Sequence, residues 1–172
     1  GGYAPSKVSQ VCDRVHVFDI SNSQPADADL KGDHLEQDAM HFTGNGHMYD
    51  YIQFCHVLEH LQDPLASVRD MVENHLRHGG YLYIEVPIEE IMCDFASDLL
   101  LTPGHYYLVH EHINKYCLRS IRALIESVGQ LSMLDLREDA TNVGWILPGF
   151  NDDGMVRIIR CLCQKVSDPI ES

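Results

Sequence analysis

The stretch from Tyr49 to Pro87 limits the fold more than any other part of the chain, because its hydrophobic period changes twice within it. Tyr49-Asp50-Tyr51-Ile52-Gln53-Phe54-Cys55 follows the turn-rich Thr43-Gly44-Asn45-Gly46 and reads as a β-strand. From Asp63-Pro64 onward, Leu65, Val68, Val72 and Leu76 recur at helical spacing. Asp63 suits the N-cap, Pro64 the first helical position, and Gly79-Gly80 the stop. Tyr81-Leu82-Tyr83-Ile84-Glu85-Val86-Pro87 is a second strand, and Pro87 marks its exit. Two largely apolar strands joined by a helix form a right-handed βαβ unit in a parallel sheet, so the fold class is α/β.

Upstream, Arg14 to Ile20 is an apolar, β-rich run containing Asp19, and His34 to Phe42 holds another short strand. Pro5 to Cys12 reads as a short helix, and Ser21 to Gly32 as a polar loop. Downstream, a helix runs from about Cys117 to Val128, with Leu118, Ile121, Leu124, Ile125 and Val128 on one face and Gly129 as its stop. Strands follow at Gln130 to Leu136 and Met155 to Gln164, and the turn-rich Asn142 to Gly154 returns the chain antiparallel. A chain of 172 residues is long enough for one continuous core, so residues 1–172 are read as a single domain.

The formal net charge of −14 is spread along the whole chain and repels a phosphate backbone or an anionic membrane surface. Nucleic acid and membrane are therefore excluded as expected partners. The six cysteines form no CxxC pair, and four of them lie inside apolar stretches, the usage of a reduced, cytoplasmic chain. No apolar run approaches the roughly 20 residues that span a bilayer, and no charged-then-apolar leader opens the sequence.

Ligands of open α/β sheets sit outside the carboxyl ends of the strands. Asp19 stands at such an end, where a carboxylate accepts hydrogen bonds from both hydroxyls of a ribose; a turn or helix-cap aspartate is the plainer alternative. Asp38-Ala39 follows the next strand, where a carboxylate accepts from an adenine amino group. After Cys55 comes His56-Val57-Leu58-Glu59-His60-Leu61-Gln62-Asp63-Pro64, with two histidines and a glutamate in one connection. His56 and His60 have the spacing of metal ligands, but Leu58 and Leu61 favour a packed turn, and no metal is expected.

Taken in register, Tyr49-Asp50-Tyr51-Ile52, His56-Val57-Leu58-Glu59-His60, Asp63-Pro64, Gly79-Gly80 and Ile84-Glu85-Val86-Pro87 resemble the central block of class I S-adenosylmethionine-dependent methyltransferases. Val17-Phe18-Asp19 resembles that family's second strand with its ribose-binding acid, and Gln37-Asp38-Ala39 the acid-Ala pair that meets the adenine. The resemblance runs from about residue 14 to 130. It implies a Rossmann-like, mostly parallel sheet of seven strands with helices on both faces and an antiparallel last strand. S-adenosylmethionine is the implied cofactor and a small molecule the implied acceptor. Asp19 and Ile20 would hold the ribose, Asp38 and Ala39 the adenine, and Gly1, Gly2, Cys55 and His56 the methionine part.

The family's first strand and the acid before its glycine-rich loop are absent. Gly1-Gly2 is either the tail of that loop or a remnant of cloning, and the chain is expected to be the carboxyl-terminal portion of a longer protein. His110-Glu111-His112-Ile113-Asn114-Lys115-Tyr116 is similar to the Glu-His signature of sugar C-methyltransferases. By that similarity Glu111 and His112 are the candidate base and orienter, with His110 and Tyr116 lining the substrate side; in many such relatives the second His instead anchors a helix start. Residues 91–107 form an apolar insertion, either a substrate lid or a homodimer contact. Rival readings are an inactive methyltransferase-like domain serving as a binding or assembly partner, a metal protein using His105, His110 and His112, and an NAD-binding domain.

Overall fold

The computed structural model describes residues 12, 15, 17–18, 34–35, 46–88, 112–142 and 155–166, which belong to two compact units, Gly1–Thr43 and Gly44–Ser172. In the first unit, β1 (Val17–Phe18) pairs in parallel with β2 (His34–Leu35), Val17 opposite His34. Both strands lie within the runs expected from the sequence. Most of the short helix expected at 5–12 lies outside the described residues.

The second unit begins with β3 (Tyr49–Cys55), a 3₁₀ turn over Leu58–His60 and α1 (Pro64–Asp70). A wider π turn, Met71–His75, leads into β4 (Leu76–Pro87). Then follow α2 (Leu118–Val128), β5 (Leu131–Asn142) and β6 (Met155–Lys165). The sheet order is β3-β4-β6-β5: β4 runs parallel to β3, while β6 lies between β4 and β5 and antiparallel to both. The sheet of this unit, among the described residues, is therefore a mixed four-stranded α/β sheet with an antiparallel last strand.

Alternation on β4 divides the sheet into two faces. Leu82, Ile84 and Val86 are fully buried and stand opposite Cys163, Cys161 and Ile159 of β6, themselves buried. Tyr81, Tyr83 and Glu85 point the other way, opposite Gln164, Leu162 and Arg160. The helices contribute Val68 and, at helical spacing, Ile121, Ile125 and Val128, and α1 packs against α2. Arg69 adds a polar tie, its guanidinium donating to the Ser127 carbonyl at 3.0 Å.

The ends of α1 follow from particular side chains. The Asp63 carboxylate accepts from the Ala66 N–H at 2.9 Å, and Pro64 occupies the first turn, where a missing N–H costs nothing. The helical run ends at His75 rather than at the expected Gly79-Gly80, because Leu76 is already in the sheet and fully buried. Lys165, at the end of β6, donates to the carbonyls of Val72, Glu73 and Leu76 and so closes the helix. The glycine pair serves the strand instead. Tyr49 pairs with Leu76 and Tyr51 with Tyr81, so Arg77 to Gly80 bulge out; a Cβ on Gly80 would lie 2.8 Å from the Arg77 carbonyl oxygen.

Replacing Asp63 by Ala is expected to cost about 1 kcal/mol in urea unfolding, and by Asn only a few tenths, because Asn caps equally well. Equal losses in the two variants would show that the cap hydrogen bond is not what Asp63 contributes.

Candidate active site

At the carboxyl end of β3 the chain makes a sharp turn at His56, whose φ of 52° is a left-handed conformation rare for a side-chain-bearing residue. Its N–H donates to the Glu85 carbonyl at 2.9 Å, which continues the β3–β4 pairing one residue past the strand. The imidazole is held between two carboxylates, with Nδ1 3.4 Å from Glu59 Oε1 and Nε2 3.5 Å from Glu85 Oε1. Glu59 and then Glu85 raise its pKa to about 9, so His56 is a cation at neutral pH.

Glu85 is the hub of this edge. It accepts from the Tyr83 hydroxyl at 2.7 Å, from Arg160 Nε at 2.9 Å and from the Cys55 thiol at 3.6 Å. His56 first, then Arg160 and Tyr83, hold its pKa down at about 2 against the opposing effect of burial. The same carboxylate acts in the other direction on its neighbours. Burial, followed by the Glu85 charge, pushes the Cys55 thiol up to about 11 and drives the Tyr83 hydroxyl higher still. Cys55 is thus a neutral thiol and no nucleophile at pH 7.

The turn after His56 is packed, as Leu58 and Leu61 imply: both are buried. Asn114 clasps it from the far side of the sequence, its N–H bonding the Glu59 carbonyl at 3.0 Å and its amide the carbonyls of Leu58 and Leu61. Tyr116 adds a hydroxyl bond to the Leu58 carbonyl at 3.1 Å and is 7% exposed. Burial, then the Glu59 charge, pushes its pKa up. Inside the turn, Glu59 is 1% exposed, and among the described residues neither of its carboxylate oxygens has a hydrogen-bond partner. The His60 and His112 rings meet edge to face, 4.7 Å apart at 77°.

Of the residues singled out from the sequence, Cys55, His56, His112 and Tyr116 converge on this edge of the second unit, with His112 and Tyr116 joined to the β3 turn through the 112–116 segment. Gly1, Gly2, Asp19, Ile20, Asp38, Ala39, His110 and Glu111 lie outside the described residues. Sequence reasoning passed over Asn114, the buried state of Glu59 and the hub role of Glu85. The one signal for Glu85 is an acid inside an otherwise apolar strand; for Asn114 there is none, because its partners lie more than fifty residues away.

A family model described as a methyltransferase domain matches residues 2–130. The fold is similar to that of a SAM-dependent methyltransferase from Methanosarcina mazei, with 11% identity, a TM-score of 0.64, and 94% of this chain and 86% of that one covered. It is also similar to the N-methyltransferase NodS of Bradyrhizobium japonicum, crystallised with S-adenosylhomocysteine: 14% identity, a TM-score of 0.60, and 96% and 74% coverage. At these identities the likeness shows the fold. No curated protein matches the chain in a sequence search.

The Glu85 network predicts a defined acid limb. A folded pKa near 2, below the ordinary 4.5, means that the carboxylate contributes its stability above pH 4.5 and loses it as the pH falls from there through 2. Glu85→Gln is expected to destabilise at pH 7 by about 1–3 kcal/mol and to flatten this limb. Unfolding free energies measured by urea titration at several pH values would refute the assignment if the two proteins lost stability in parallel.

Proposed function

The chain belongs to the methyltransferase-domain family, and we propose that it transfers a methyl group from S-adenosylmethionine to a small-molecule acceptor. The observation that carries this reading is the β3 edge: a parallel β3–β4 pair ending in a left-handed His56, with Cys55 and the acidic pair Glu59 and Glu85 around it. Such an edge fits an adenosine-bearing ligand because it lies where open α/β sheets take their ligands.

When bound, S-adenosylmethionine supplies a methyl group on a sulfonium that departs as a neutral thioether and needs no acid. The protein's part is therefore to position two partners in line and to remove a proton where the acceptor carries one. Gly1, Gly2, Cys55 and His56 are assigned to the methionine part, Asp19 and Ile20 to the ribose, and Asp38 and Ala39 to the adenine. Glu111 takes the acceptor proton and His112 orients it. His110 and Tyr116 are assigned to the substrate side.

The acceptor is small and not a polyanion, in keeping with a net charge of −14. A cytoplasmic setting agrees with the free thiols of Cys12, Cys55, Cys117, Cys161 and Cys163, and no helix among the described residues is long and apolar enough to cross a membrane.

Calorimetric titration with S-adenosylhomocysteine, with NADH as the control ligand, tests the reading. Micromolar binding of the first alone is expected. Asp19→Ala should weaken it at least about tenfold, as loss of a charge-assisted hydrogen bond does, whereas His112→Ala should leave it intact and lower turnover. Absence of binding would turn the assignment to an inactive, partner-binding domain, and undiminished binding by Asp19→Ala would remove Asp19 from the pocket.

A further inference from the structure

The Glu59 carboxylate is costly as it stands. Its side chain is 1% exposed, both oxygens lack hydrogen-bond partners among the described residues, and the His56 imidazole stands 3.4 Å from Oε1. An ionised carboxylate withdrawn from water needs several converging donors or a metal ion, and a single loose contact at one oxygen does not supply them. Next to it in sequence is His60, and across from it His112. One ligand atom from each of these three residues lies within 4.8 Å of the other two.

We propose that Glu59, His60 and His112 form a mononuclear binding site for a divalent transition-metal cation.

The framework around the three side chains is built rather than incidental. Glu59 and His60 share the 3₁₀ turn Leu58–His60, and His112 precedes the segment whose Asn114 and Tyr116 make three hydrogen bonds to that turn and a fourth to Leu61 just after it. Those bonds hold the turn and the 112–116 segment at a fixed separation, which is what a ligand set needs before any ion arrives. Bond lengths of about 2.0–2.2 Å around a tetrahedral ion place ligand atoms roughly 3.4 Å apart, so side-chain rotation within the 4.8 Å cluster suffices to close it. Two imidazoles and one carboxylate favour Zn²⁺, Co²⁺ or Fe²⁺ over Mg²⁺ or Ca²⁺, and three protein ligands leave one position for water or an oxygen of another molecule.

The neighbouring cluster of Cys55, His56 and Glu85 has a similar composition but is already spent. Its carboxylate already accepts from Arg160, Tyr83 and Cys55. Glu59 differs in that, among the described residues, neither of its oxygens has a hydrogen-bond partner. The proposal does not rest on the methyl-transfer reading, because a cation would relieve the Glu59 charge whatever the acceptor chemistry.

The test is titration of the whole protein, purified without a metal column and stripped with chelator, with Co²⁺ alone, followed by its visible ligand-field absorption. Saturation near about one equivalent is expected, with the intense bands of a four- or five-coordinate ion. His112→Ala and Glu59→Gln should each weaken binding at least about tenfold, while His78→Ala, a change at an exposed histidine, should not. Because Glu59→Gln alters a buried turn, His112→Ala carries the decision, with its fold checked by circular dichroism. A Co²⁺-induced rise in melting temperature in the parent, lost in His112→Ala, would agree. Absence of saturable binding in the parent, or binding unchanged in His112→Ala, would overturn the site.

Discussion

A carboxylate on the half-buried face of a sheet is stable only where donors converge on it, and Glu85 meets that condition by drawing on three strands. Cys55 and His56 reach it from the end of β3, Tyr83 from its own strand and Arg160 from β6; Arg160 in turn bonds Asp139 of β5. One carboxylate and one guanidinium thus connect all four strands of the sheet. The arrangement is also a register lock. A slip of β6 by one residue would carry Arg160 to the apolar face and place a cysteine or isoleucine against Glu85, so the polar network rejects the alternatives that apolar pairing alone would tolerate.

The same network shapes the edge on which the candidate site stands. His56 is held in its left-handed conformation by a backbone bond to β4 and by carboxylates on both sides of its ring. Such a conformation costs about 1–3 kcal/mol and persists only where the surroundings over-determine it. Behind it, Asn114 and Tyr116 fix the following turn from a segment more than fifty residues away. Precision at this edge therefore comes from tertiary hydrogen bonds rather than from local propensity.

That division explains what the sequence made legible. β3, α2 with its Gly129 stop, the N-cap at Asp63 and the antiparallel turn of the last strand were readable, because each is written in nearby residues as period or punctuation. The end of α1 was not, since Leu76 is claimed by the sheet and Lys165 closes the helix from the far end of the chain. β5 runs to Asn142 rather than stopping at Leu136: Arg137, Glu138 and Asp139 look like loop residues until β6 brings Arg157 to Glu138 and Arg160 to Asp139. At the site, Cys55 and His56 were legible by position, whereas the isolation of Glu59 depends on partners that only folding brings near.

The placement of β6 between β4 and β5 has a consequence for how the chain reaches this structure. β5 leaves the ribosome before β6, yet β5 has no described sheet neighbour until β6 arrives to separate it from β4. Until then β4 presents an open hydrogen-bonding edge flanked by Leu82, Ile84 and Val86, the kind of edge that recruits strands from other chains. The sheet therefore closes late and through contacts between residues far apart in sequence, which slows folding and lengthens the interval of exposure. Gln164 bonding the Gly79 carbonyl, 85 positions away, is one of the contacts that β4 gains only with β6.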